Sequence, residues 1–95
     1  MPALLIVHST VTKPELFKEY ATASEHSLQL YGGEFLFGGN VSDVLEGSHD
    51  KSRAVIFQFS SAEQARAWYQ SDEYQAVRHL REDTGELNFI VVDSF

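Results

Sequence analysis

Residues 53–59 read Arg53-Ala54-Val55-Ile56-Phe57-Gln58-Phe59, a β-strand without a polar face. Successive side chains of a strand point to opposite sides. Val55, Phe57 and Phe59 therefore share one side with Arg53, while Ala54 and Ile56 share the other. The same two-sided pattern recurs at both ends of the chain. In 3–11, Leu5, Val7 and Ser9 oppose Leu4, Ile6 and His8. In 86–94, Phe89 and Val91 oppose Ile90 and Val92. Three strands thus carry apolar side chains on both faces, and each face needs a cover.

Between the strands the period lengthens to that of a helix. Thr12, Pro14 and Glu15 mark a start: a capping hydroxyl, an early proline and an acid in the first turn. Leu16, Phe17, Tyr20, Ala21, Ser24, Leu28 and Tyr31 follow down one face, and Gly32-Gly33 ends the helix. Residues 34–46 are expected to be extended, with Gly38-Gly39 as a bulge or bend. Gly47-Ser48-His49-Asp50 is a loop. Ser60 and Glu63 read as a capping box for a second helix, with Ala62, Ala65 and Tyr69 on its inner side and Trp68 off that stripe. Ser71 caps a further short helix over 72–83, and a last strand closes the chain.

The order is β-α-β-β-α-β, an α+β pattern. Right-handed crossovers place the first and third strands at the centre of a four-stranded antiparallel sheet, with both helices on one face. The uncovered face of such a sheet is ordinarily polar. Here neither side is polar: Val55, Phe57 and Phe59 oppose Ala54 and Ile56, and Phe89 and Val91 oppose Ile90 and Val92. The chain has no further segment to cover the second face, so another copy of the same sheet is expected across a two-fold axis, giving a homodimer.

Composition narrows the function. The 95 residues make one domain, 1–95. With 43% hydrophobic and 22% charged residues, the chain is globular rather than disordered. Seven basic residues stand against fourteen acidic ones, for a net charge of -7. That excludes nucleic acid and anionic membrane surfaces as natural partners. Cysteine is absent, which removes disulfides, thiolate metal sites and cysteine nucleophiles. The Ala3–Val7 run is too short for a membrane span or a signal core, and a cytoplasmic protein is expected. His8, His26, His49 and His79 match no metal-ligand spacing, and no cofactor is expected. Gly32-Gly33 follows a helix and Gly38-Gly39 lies within a strand, so neither is a phosphate-binding turn.

Several blocks together resemble the domain-of-unknown-function 1330 family. They are Tyr31-Gly32-Gly33-Glu34-Phe35-Leu36, Leu45-Glu46-Gly47, Arg53 heading an apolar strand, and Phe57-Gln58-Phe59-Ser60-Ser61. Ala67-Trp68-Tyr69-Gln70-Ser71-Asp72-Glu73-Tyr74-Gln75, followed by Arg78 and Arg81, completes the set. The resemblance covers almost the whole chain. It implies a ferredoxin-like protomer that pairs sheet to sheet as a dimeric α/β barrel, with a pocket between sheet and helices. At superfamily level it implies cofactor-independent oxidation or isomerisation of a small organic molecule as one class of function, and a non-catalytic binding or structural dimer as the other. This sequence departs from the family pattern at Gly38, where a basic residue is usual, and at Asp72, where proline is common.

Six residues are candidates for the site. His8, in phase with Leu4 and Ile6, is either a proton-transfer group or a hydrogen-bonded core or interface histidine. Arg53 joins an apolar face and needs a partner. That partner is either an acid such as Glu46 across the hairpin or an anionic ligand. Tyr74, Arg78 and Arg81 follow at i, i+4 and i+7. The two guanidiniums either hold a carboxylate or phosphate or serve Glu73, Glu82 and Asp83 nearby. Trp68 and Tyr74, with the other aromatic residues, either pack the core or line a cleft for a planar ligand.

Overall fold

The computed structural model describes all residues from Met1 to Phe95. Strand β1 is Ala3–Val11, helix α1 Pro14–Leu30, strand β2 Glu34–Asn40 and strand β3 Arg53–Phe59. Helices α2 (Ala62–Gln70) and α3 (Asp72–Arg78), a 3-10 turn (His79–Arg81) and strand β4 (Gly85–Asp93) follow. The sheet order is β2-β3-β1-β4, with every neighbouring pair antiparallel. This is the ferredoxin-like α+β fold read from the sequence, with β1 and β3 central.

Alternation sets the two faces. Ala3, Leu5, Val7 and Ser9 of β1 are buried beneath the helices, while Leu4, Ile6 and His8 between them are half-buried. Register carries the same division outward. Leu5 lies opposite Phe57 and Val91, and Ile6 lies opposite Ile56 and Ile90. The helices cover Leu5 and Phe57, whereas Val91 on the edge strand stays 39% exposed. The second set forms an open sheet face on which Ile90 and Val92 are each 45% exposed and Phe37 is 66% exposed. A leucine- or isoleucine-sized side chain left in water forgoes about 1.5–3 kcal/mol of burial, so this face is costly in an isolated chain.

Helix boundaries differ from the sequence reading where tertiary contacts take over a cap. Lys13, not Thr12, precedes α1, and its side chain makes no capping bond. The Thr84 carbonyl instead accepts from the Thr12 and Lys13 amides at 2.8 and 3.2 Å. Ser61, not Ser60, caps α2, its hydroxyl accepting from the Gln64 amide at 3.1 Å. Ser71 caps α3 as expected, accepting from the Tyr74 amide. That helix stops at Arg78 and passes into the 3-10 turn. Strand β2 ends at Asn40, and residues 41–52 form a loop closed by the Val41 amide on the Ser52 carbonyl at 2.8 Å. The β-bulge falls between Phe35 and Phe37, just before the glycine pair. Gly85 opens β4 at φ 150°, where a Cβ would run into the Thr10 carbonyl, so only glycine fits there.

The core is aromatic. Trp68 is 1% exposed and Tyr74 0%. Their ring centroids lie 4.3 Å apart, with Phe59 6.2 Å and Phe89 6.4 Å from Trp68. Trp68 thus belongs to the inner face of α2 with Ala62 and Ala65, and Tyr69 is the half-buried residue. The sequence stripe misassigned this pair because α2 is only nine residues long and α3 folds back at Ser71. The face that includes Trp68 is therefore closed by Tyr74.

Candidate functional site

A cleft of about 500 Å³ lies between α1 and the sheet. Phe17, Tyr20 and Leu28 of α1 form its roof. Val55 and Phe57 of β3, with Phe35 of β2, form its floor, and Trp68 and Phe89 close its inner end. Twelve of its sixteen lining residues are hydrophobic. Arg53 and Glu25 are the charged groups on the wall.

Arg53 enters this cleft because β3 alternates. It is in phase with Val55 and Phe57, and it pairs in register with Ser9 and Asn40. Its guanidinium carbon lies 5.4 Å from the centroid of the Phe17 ring. The two salt bridges of the chain both belong to Lys51, with Asp50 and Glu86. Arg53 therefore has no carboxylate within 4.0 Å, and Glu46 is not its partner. With β2 ending at Asn40, Glu46 sits in an exposed loop rather than across a ladder from Arg53. A cation–π contact offsets part of the desolvation of the guanidinium, but it leaves the donor fork unpaired.

Beyond Phe17 the roof continues to Tyr20, whose hydroxyl meets that of Tyr74 at 2.8 Å. Trp68 Nε1 donates to the Ser27 hydroxyl at 3.0 Å, and Ser27 donates to the Ser24 carbonyl at 2.7 Å. Every polar atom of this inner wall is thereby satisfied. Burial raises the pKa of Tyr20 well above the usual phenol range, and the adjacent Tyr74 raises it further. Burial also raises Tyr74, against opposing effects from its bond with Tyr20 and from Arg81. Both phenols stay protonated in the folded state. The unfolded chain releases its phenol protons near pH 10, so stability is fully present below that pH and falls as pH rises above it. Urea melts at pH 8 and pH 11.5 should therefore show a smaller alkaline loss in Tyr20→Phe than in the parent. Equal losses would mean the pair is not what alkali breaks.

The remaining sequence candidates lie elsewhere. Arg78 and Arg81 share an open polar cleft of about 500 Å³ with Gln75, His79, Glu82 and Asp83. Neither has a carboxylate within 4.0 Å. The Arg81 guanidinium instead lies 4.8 Å over the Phe89 ring. Tyr74 does not join them: it points into the core, whereas Arg78 is exposed. The helix ends at Arg78, so the i, i+7 relation to Arg81 is not kept. His8 lies on the open sheet face, between Ala54 and Asn88, with the His49 ring 4.8 Å away edge to face. The structure thus brings Arg53 and Trp68 to one cleft, with Tyr74 behind its wall, and holds Arg78 and His8 apart from it. Tyr20 is one of the aromatic residues that the sequence offers as a possible cleft wall, whereas Phe17 and Ser27 carry no such signal. Phe17 lies in the helical stripe of α1, which reads as core. No group of three or more His, Asp or Glu side chains is gathered where a metal ion could be held, and no helix is long and apolar enough to cross a membrane.

The four-stranded ferredoxin-like sheet with its helices on one face is a fold shared with solved structures. Within it the chain belongs to the family described as domain of unknown function DUF1330, whose model matches residues 2–95. No curated protein matches it. A protein of unknown function from Rhodopseudomonas palustris superposes with a TM-score of 0.80 at 13% identity, over 99% of this chain and 82% of its own. SnoaB, a cofactor-independent oxygenase from Streptomyces nogalater, gives 0.71 at 12% identity over 99% and 93%. A dimeric ferredoxin-like protein of unknown function from Bacteroides fragilis gives 0.60 at 12% identity over 98% and 96%. At these identities the likeness is one of fold.

Proposed function

We propose that the chain is a homodimer, paired sheet to sheet, that binds a small planar organic anion in the cleft beneath α1 of each protomer. The observation that carries the ligand is Arg53. It sits in a mostly apolar cleft, stacked on Phe17, with no carboxylate within reach. The half-buried guanidinium has no partner in the chain, and a bound carboxylate satisfies its fork in two parallel bonds. The aromatic walls suit a flat ligand, with Tyr20 and Trp68 fixing its orientation and Tyr74 holding Tyr20 in place.

Cofactor-independent oxidation or isomerisation is the reaction class this site favours. Glu25 is the one carboxylate on the wall and so the group available for proton transfer. The likeness to SnoaB supports that class at the level of fold. A purely binding role is the second reading, favoured by the absence of any histidine from the lining. The chain's single tryptophan walls the cleft, so its fluorescence reports occupancy. Titration with 1-naphthoate should show at least about tenfold weaker binding for Arg53→Gln, as expected for losing a charge-assisted pair. Unchanged affinity would remove Arg53 from the site.

A further inference from the structure

A second groove runs along the other side of the Trp68–Phe89 partition. It has a volume of about 750 Å³ and lies between α2 and the edge strand β4. Four walls are common to groove and cleft: Leu5, Trp68, Leu87 and Phe89. Arg66, Tyr69 and Arg81 line the groove and not the cleft, as Arg53, Phe17 and Tyr20 line the cleft and not the groove; Arg81 also borders the open polar cleft beside Arg78.

Three features of the groove are unusual for this chain. Asp and Glu number fourteen among 95 residues, yet none lines it, while Arg66 and Arg81 both do. Neither arginine has a carboxylate within 4.0 Å, although Glu82 follows Arg81 directly. The wall is aromatic: the Tyr69 ring centroid lies 6.0 Å from that of Phe89, and Arg81 covers Phe89. The polar groups are also unspent. Tyr20 and Tyr74 bond one another and Tyr31 bonds Glu73, which leaves Tyr69 as the tyrosine whose hydroxyl has no partner in the chain. The outer end of the groove reaches His8 and His49 on the open sheet face, which the proposed dimer covers, so they are not among its donors. A pocket with aromatic walls and convergent unpaired donors has the composition of a ligand site, and planar guanidiniums match a carboxylate.

The geometry points to a second ligand site in this groove, one that takes a planar aromatic carboxylate. The ring packs against Tyr69 and Phe89, and the carboxylate meets Arg66, Arg81 and the Tyr69 hydroxyl. The two sites lie back to back on one partition, so each protomer holds two such molecules, one on either side of Trp68.

Calorimetric titration with 1-naphthoate tests this, with neutral 1-naphthalenemethanol as the control. The parent should bind two naphthoates per chain. Arg53→Gln should keep the groove site, and Arg66→Gln/Arg81→Gln should weaken it at least about tenfold, an effect of the size expected for charge-assisted bonds. The neutral alcohol should bind the groove at least about tenfold more weakly than the acid. Arg66 is exposed and Arg81 half-exposed, so both changes are tolerated by the fold, and near-ultraviolet circular dichroism of the variant checks it. One naphthoate per chain that responds only to Arg53→Gln would overturn the groove site, as would no binding at all. One naphthoate that responds only to the double variant would uphold the groove and remove the Arg53 cleft.

Discussion

Ile6→Asp should sediment as a single chain of 10.7 kDa, where the proposed dimer predicts twice that mass for the parent. Ile6 lies on central strand β1, opposite Ile56 of β3 and Ile90 of β4 on the open face. In the proposed sheet-to-sheet dimer, a two-fold axis over this face would set the substituted carboxylates of both copies into a dry interface. An uncompensated charge buried there costs about 3–5 kcal/mol, or roughly a hundredfold to a few thousandfold in association. The same carboxylate in a lone chain faces water, because no helix crosses this side. Dimerisation should therefore collapse while circular dichroism shows an intact protomer. A variant that stays dimeric would place the interface elsewhere.

Trp68→Ala should lower stability by about 3–5 kcal/mol, the usual cost of truncating a buried tryptophan. Trp68 is 1% exposed, and its ring packs with those of Tyr74, Phe59, Tyr69 and Phe89. The change also strips the Ser27 hydroxyl of its donor. For a domain this small the loss approaches the whole of its stability, which is about 5–15 kcal/mol for native proteins generally. Urea unfolding monitored by far-ultraviolet circular dichroism reads it directly. Arg53→Gln, at the cleft wall, should move the midpoint far less. A loss below about 1 kcal/mol in Trp68→Ala would mean that the aromatic cluster repacks around the hole.

The strands were legible because their period is two and their residues are β-branched or aromatic. Val55 and Ile56 declare two buried faces whatever lies above them. The open sheet face follows from that alone, since two helices cannot cover both sides. Short helices were read less well. A nine-residue helix has barely two turns to define its inner stripe, and Trp68 was displaced in favour of Tyr69. Ser60 and Ser61 are both capping residues, and only the start of α2 decides between them. Thr12 lost its capping role to a carbonyl 72 positions away, Thr84, which no local pattern reveals.

The site was legible in part. Arg53 stood out because a guanidinium in phase with Val55 and Phe57 conflicts with its surroundings. Its neighbour Phe17 did not, because contact between α1 and β3 is set by how the helix crosses the sheet. Tyr74 shares a helical spacing with Arg78 and Arg81 in the sequence, but it turns into the core while the two arginines line one open cleft. His8 was placed correctly on its strand face, but that face lies across the sheet from the cleft.

A native mass spectrum of freshly purified protein tests the homodimer and its cleft together. A sheet-to-sheet dimer with an occupied cleft gives twice the 10.7 kDa chain mass, plus a small organic mass of which the Arg53→Gln protein loses the part held in the cleft. A bare ion of 10.7 kDa at micromolar concentration would contradict both the pairing of the open faces and the ligand-binding cleft.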